Sequence, residues 1–314
     1  MDQMNDELNS TYLTFGGHVD LHKYKFLYFV IMLTIYILIL CGNLGIFCII
    51  CIQKSLHEPM YIFIAALLLN SAAFSTNIYP RLLIDFLSNQ QVISRSLCSL
   101  QSFIYYSLSG SEFLLLSVMA YDRYVSICKP LQYATIMRKR TVNILLVFSW
   151  LAPACQLVPS VIMSSSLKLC SFTLNAVICN NALSKLYCMT STTIYLAYGV
   201  FILLTTVLLP MLFILFTYSK IFIIAIQSCR EVRNKAAQTC LPHLLVLFSF
   251  SCLCSYDVII ARLQIDFTKT ARLIMTLQIV MYHPLFNPII YGLKMKEISK
   301  HLKRLFIRPK ITGF

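Results

Sequence analysis

Seven stretches of this chain are so long and so apolar that a bilayer is the only solvent in which all of them can be satisfied together. Read between charged residues, they run over 26–53, 59–80, 96–121, 141–167, 186–219, 236–256 and 273–293, the third interrupted only by Glu112. Each reaches the roughly 20 residues that carry a helix across hydrocarbon. Unpaired backbone N–H and C=O groups are so costly there that only helices and closed barrels span it. Barrel strands would show alternating segments of about ten residues, and the runs do not alternate. The fold class that follows is an all-α membrane protein, a seven-transmembrane helix bundle. Composition agrees: 12% of the residues are charged, about half the share of a soluble domain.

The formal charge of +14 raises the question of nucleic acid, and the distribution of charge answers it. With the N-terminus outside, the inner segments hold 17 Lys/Arg against the four acids Glu58, Asp122, Glu231 and Glu297, and the outer segments nine against seven. Positive charge gathered on the inner loops is what orients a membrane protein, and it also attracts anionic inner-leaflet lipids. Membrane lipids are therefore the expected partner of this charge, and no nucleic acid is expected.

The chain divides into an outer tail over 1–25, the bundle over 26–293 and an inner tail over 294–314. The first 25 residues carry Asp2, Asp6, Glu7 and Asp20 without an apolar core, so no cleavable signal peptide is expected and helix 1 is read as its own insertion signal. In the inner tail Ile298, Leu302, Leu305 and Phe306 share a helical face flanked by Lys296, Lys300, Lys303 and Arg304. That pattern is a short amphipathic cytoplasmic helix lying on the inner leaflet; a basic unstructured tail is the alternative. Asn9-Ser10-Thr11 is a glycosylation sequon on the outer side. Of 13 cysteines, four (Cys98, Cys170, Cys179 and Cys188) fall on the oxidising side. They permit three pairings, among which the sequence alone does not choose.

Helix 3 ends in Met119-Ala120-Tyr121-Asp122-Arg123-Tyr124-Val125-Ser126-Ile127-Cys128-Lys129-Pro130. An acid–base pair at the end of a spanning helix marks function unless it only fixes topology. The string resembles the helix 3 signature of odorant receptors, within the rhodopsin-like G-protein-coupled receptors. Further landmarks agree in order: Gly42-Asn43, Leu56-His57-Glu58-Pro59-Met60-Tyr61, Trp150, Pro210 with Tyr218, Lys235-Ala236-Ala237-Gln238-Thr239-Cys240 and Asn287-Pro288-Ile289-Ile290-Tyr291. Met60-Tyr61-Ile62-Phe63 and Ala261-Arg262-Leu263-Gln264 look most like fish odorant receptors.

The resemblance implies a receptor, not an enzyme, that binds a small odorant and activates a stimulatory, olfactory-type G protein, raising cAMP. It implies residence in the plasma membrane, in the cilia of olfactory sensory neurons. Asp122, Arg123, Tyr124, Tyr218, Asn287, Pro288 and Tyr291 would serve activation, with Arg123 held by its neighbouring carboxylate at rest. Pro210 and Pro288 remove helix hydrogen bonds and permit kinks. The disulfides implied are Cys98–Cys179 and Cys170–Cys188.

Glu112, eleven residues before Arg123, is the only acid deep within an apolar run. Such a carboxylate pairs, protonates or binds a cation. The wider superfamily usually holds sodium with an Asp on helix 2, where this chain reads Leu69-Asn70-Ser71. Glu112 with Asn43, Ser71 and Asn287 is then the expected cation or proton site. Sodium is the only candidate cofactor, and a neutral, hydrogen-bonded Glu is the alternative. His283 reads as a packed core residue. The odorant pocket is expected between helices 3, 5 and 6, lined by Tyr105, Tyr106, Ser109 and Phe113, by Phe201 and Thr205, and by Cys254, Ser255 and Val258. Amine receptors of the superfamily carry an Asp where this chain has Tyr105, which disfavours an amine ligand. Arg262 at the mouth would clamp an acidic ligand, or else pair with Asp266. Ser251-Cys252 stand where many odorant receptors have an aromatic pair. A non-odorant peptide or metabolite receptor is the nearest rival. A transporter would need charges along a path and repeated halves, and the chain has one deep charge and no repeat.

Overall fold

A computed structural model describes residues 12–17, 24–188, 192–227, 240–241, 244–251 and 269–307. Helix α1 spans Lys25–Ile52, α2 Pro59–Leu87, α3 Arg95–Cys128 and α4 Lys139–Ser165. Helix α5 joins Thr192–Leu203, a π turn at Leu204–Leu208 and Leu209–Gln227. Of α6, residues 240–241 and 244–251 are described, and they are helical. Helix α7 covers Lys269–Lys294 and α8 Lys296–Ile307. Among the described residues, α1 to α4 and the Ala197–Gln227 part of α5 are long and apolar enough to cross a membrane.

The helices outrun the apolar runs where polar residues find partners. Helix α2 continues past Arg81 and Asp85 because the two pair one turn apart at 2.8 Å. Helix α3 starts at Arg95 because the Ser94 hydroxyl accepts the Leu97 N–H at 3.3 Å, an N-cap. It stops at Cys128, ahead of Lys129-Pro130, a dipeptide that resists helix. The fifth run begins before its helix: Cys170 N–H donates to Leu186 O and Cys188 N–H to Lys168 O, which ties 186–188 into the preceding loop. Pro210 has no N–H for the helix ladder, and the π turn lies just before it.

Helix α3 packs against α2, α4 and α5, while α7 packs against α1 and α2. Lipid tails offer no hydrophobic drive between helices, so close backbone approach and interhelical hydrogen bonds hold such a bundle. Gly110 permits one such close approach between helices: a Cβ there would lie 2.6 Å from Thr206 Cγ2 and 2.8 Å from Pro153 Cβ. Nearby, the Thr206 hydroxyl donates to Gln156 Oε1 at 2.6 Å, linking α5 to α4. Helices α2 and α3 are mostly buried, while α1, α4 and α5 turn broad apolar faces outward.

At the disulfide end the chain near the N-terminus is more than a solvated tail. Strand β1, Tyr12–Phe15, lies between β2, Val92–Ser94, and β3, Thr173–Leu174. It runs antiparallel to β2, with Tyr12 opposite Ser94, and parallel to β3, with Thr14 opposite Thr173. Period-two alternation buries Leu13 and Phe15 against Ile93, Leu174, Leu186 and Tyr187 while Tyr12 and Thr14 face outward. The acidic composition of 1–25 hides this Tyr-Leu-Thr-Phe alternation. Two disulfides, Cys98–Cys179 and Cys170–Cys188, fix the same cap. Asn77 and Gln101 donate reciprocally to each other's carbonyls, and Gln101 Oε1 accepts the Cys179 N–H.

At the opposite end α8 folds under the bundle. Ile298 is fully buried and Leu302 packs against the same core, so this half of the apolar face rests on protein. The side chains of Leu305 and Phe306 lie outside the described residues.

Candidate functional site

Among the described residues, two buried polar clusters hold the residues expected to act in signalling. The first lies at the α8 end of α3. Arg123 Nη2 donates to Asp122 Oδ2 at 2.5 Å and Nε to the same oxygen at 3.1 Å. Asp122 is completely buried. Its other oxygen, Oδ1, accepts the Tyr133 hydroxyl at 2.8 Å. Tyr133 opens the single helical turn Tyr133–Ile136 between α3 and α4, a position that helix 3 spacing does not reveal. Burial first, then the negative charge of Asp122, pushes the Tyr133 phenol well above its ordinary range, so it stays a protonated donor at neutral pH. The buried carboxylate thus receives donors on both oxygens, as a buried charge requires. Tyr124 lies partly buried against the core, and Tyr218 and Tyr291 are buried. The Tyr218 hydroxyl has no hydrogen-bond partner among the described residues.

The second cluster crosses the middle of the bundle and centres on Glu112, which is 2% exposed. Asn287 Nδ2 donates to Glu112 Oε1 at 3.1 Å and also to Ser71 Oγ at 2.7 Å. Asn70 Nδ2 donates to Leu108 O at 3.0 Å and reaches Glu112 Oε2 at 3.4 Å. Trp150 Nε1 donates to Asn70 Oδ1 at 3.2 Å and so joins α4 to the cluster. His283 Nε2 stands 2.6 Å from Glu112 Oε2, off the axis of an ideal ring hydrogen bond. Of the four residues expected around a cation, Glu112, Ser71 and Asn287 are brought together. Asn43 spends its amide on Ile39 O and Pro284 O, both at 2.8 Å, and stands beside the cluster. His283, Asn70 and Trp150 complete a network that sequence spacing did not assemble. The signals present were two polar residues on apolar helices and a Pro after His283.

The pocket residues separate into two groups. Tyr105 and Phe113 are buried on α3. Tyr105 meets Phe74 at 5.1 Å and Tyr106 at 4.9 Å, and Phe113 meets Phe250 of α6 at 4.8 Å. Ser109 turns its hydroxyl back to Tyr105 O. On α5 Phe201 is 49% exposed and stacks on Tyr198. Thr205 bonds Phe201 O, and it is Thr206 that is buried toward α3. Cys254, Ser255, Val258 and Arg262 lie outside the described residues, as do Asp266, Cys252 and Asn9. Phe250, one residue before the Ser251-Cys252 pair, supplies the aromatic contact at this level of α6.

A family model described as olfactory receptor matches residues 32–309. The chain belongs to the olfactory receptor family. It is 31% identical over 315 residues to human olfactory receptor 51E1, covering 98% of this chain and 96% of that protein. It is 32% identical over 312 residues to mouse olfactory receptor 5AR1, covering 97% and 98%, and 32% identical over 305 residues to human olfactory receptor 6K3, covering 96% and 91%. As an olfactory receptor it is a seven-transmembrane, multi-pass membrane protein, a G-protein-coupled receptor for small molecules and not an enzyme. Both disulfides expected from the family resemblance are present. These relatives are mammalian and bear on the family, not on the fish-like variants.

Proposed function

We propose that this olfactory receptor takes a small, largely apolar molecule in the half of the bundle between the Glu112 cluster and the disulfide end, and that binding opens the Arg123 end to a stimulatory G protein, raising cAMP. The latch at Arg123 is the observation that carries this reading. A buried acid, satisfied by a guanidinium on one oxygen and a tyrosine on the other, is a two-state element: the contacts hold Arg123 against its own helix at rest and are lost when it turns away. Tyr218 and Tyr291 line the same end, and the buried Tyr218 hydroxyl offers Arg123 a partner after it turns. Pro288, next to Asn287, has no N–H for the helix ladder and permits a kink between this end and the Glu112 cluster.

The charge distribution supports an N-terminus outside, with Asn9 glycosylated, and the Arg123 end facing the cytoplasm of a sensory cilium. Tyr105, Tyr106 and Phe113, with Phe74 and Phe250 behind them, favour a neutral ligand. Cys254, Ser255, Val258 and Arg262 belong to the same proposal from the α6 side, with Ser109, Phe201 and Thr205 from α3 and α5.

The test is a cAMP reporter screen in transfected cells against odorants divided into acids, amines and neutral volatiles. Neutral volatiles raising cAMP in wild type, with potency lost in Tyr106→Ala and Phe113→Ala at equal surface expression, support the reading. Agonists whose potency neither substitution moves would place the pocket elsewhere.

A further inference from the structure

We propose that His283 is a built-in counter-group for Glu112: its imidazole takes the place in which a diffusible cation would neutralise this carboxylate, so the resting bundle is locked without sodium. The inference needs neither the ligand nor the G protein of the preceding section, only the central cluster.

The donors around Glu112 carry the argument. A hard cation is held by oxygens turned toward it. Here the carboxylate meets nitrogens: Asn287 Nδ2 at Oε1, with Asn70 Nδ2 and His283 Nε2 at Oε2. The His283 contact is the shortest of the three, at 2.6 Å, and both side chains are almost wholly buried. At this distance the imidazole supplies the charge balance that a mobile cation would otherwise provide, in a site where an unpaired charge is costly. The charged residues within α2 and α5 stand elsewhere, Arg81 paired with Asp85 and Lys220 over the Phe216 ring. Among the described residues, His283 is the one charged partner within ion-pair distance of Glu112.

The ring is also clamped. Phe250 of α6 lies against it, ring centroids 4.3 Å apart, and the same Phe250 touches Phe113 one residue after Glu112. The pair ties α3 to α7, and its aromatic cover comes from α6. An outward movement of α6 would uncover the imidazole and loosen the tie. Oxygens that a cation needs are close by: Asn43 Oδ1 and Asn287 Oδ1 are buried with no hydrogen-bond partner among the described residues, and Ser71 Oγ accepts from Asn287. Deleting the imidazole would leave Glu112 without its counter-group beside these oxygens.

That deletion is the experiment. The full-length receptor in detergent is melted while choline chloride is replaced by sodium chloride at constant ionic strength, with thermal unfolding read by a thiol-reactive dye. Wild type should melt at one temperature throughout. His283→Ala should melt lower in choline and rise with sodium by about 2–4 °C, the shift expected when a ligand binds only the folded state. His283→Ala combined with Glu112→Gln should lose that rise. If His283→Ala expresses poorly, His283→Ser, which adds an oxygen, replaces it with the same expectation. A wild-type receptor that sodium stabilises, with the effect lost in Glu112→Gln, overturns the proposal. So do His283 variants that remain indifferent to sodium, because the imidazole would then exclude nothing.

Discussion

The Tyr133 hydroxyl donates to Asp122 Oδ1 at 2.8 Å, on the opposite side of the carboxylate from Arg123, which bonds Oδ2. The loop between α3 and α4 therefore helps hold the arginine: it fixes the acid that Arg123 must leave. Restraint of this kind works at the resting end of the equilibrium, where removing one contact shifts population without touching the ligand pocket.

Tyr133→Phe keeps the ring and removes the donor. A hydrogen bond to a charged group contributes about 1.5–3 kcal/mol, so even partial loss should raise ligand-free cAMP about fivefold or more. The measurement is basal reporter signal normalised to surface receptor. An unchanged baseline would show that Tyr133 only packs.

Gly110→Val should strip the receptor from the cell surface, because its side chain would enter the space held by Thr206 Cγ2 and the rigid Pro153 ring. Overpacking of this sort costs about 1–3 kcal/mol. Gly45→Ala is the matched control, since a Cβ there meets nothing within 4 Å. Flow cytometry of a surface epitope compares them, and equal display would contradict the close approach of α3, α4 and α5.

The two disulfides should differ in their effect on stability. Cys98–Cys179 closes a sequence separation of 81 residues and Cys170–Cys188 one of 18, which corresponds to about 4.5 and 3 kcal/mol from loop entropy. Replacing both members of the first bridge by Ser should lower the melting temperature more than replacing the second. The reverse order would mean that Cys170–Cys188 carries packing beyond its loop.

Glu112→Gln retains the shape that Asn70 and Asn287 surround and removes the charge that His283 answers. It should raise basal cAMP, because α3 and α7 lose their shortest tie. A basal level equal to wild type would make Glu112 a passive hydrogen-bonding residue.

What was legible in the sequence is what short-range chemistry determines. Apolar run length located the spanning segments, and Arg123 with Asp122 stood out because charge at a membrane helix end demands a partner. Glu112 stood out for the same reason. Contacts between segments distant in sequence were not legible. His283 lies 171 positions from Glu112 and Tyr133 sits in a loop, so no periodicity connects either to its acid. Asn43 shows the converse. Its polarity on α1 invites membership of the Glu112 cluster, yet its amide bonds Ile39 O and Pro284 O, because α7 exposes a carbonyl where Pro288 has no N–H to offer. Strand β1 escaped notice because four alternating residues are too short a signal within an acidic stretch.

The central claim is that Arg123, released from Asp122 and Tyr133, is the contact through which this receptor signals. Arg123→Ala, compared with wild type in transfected cells for both surface epitope and agonist-evoked cAMP, tests it most directly. Normal surface display with the cAMP response abolished is the expected result; a mutant that reaches the surface and signals as wild type would contradict this role of Arg123.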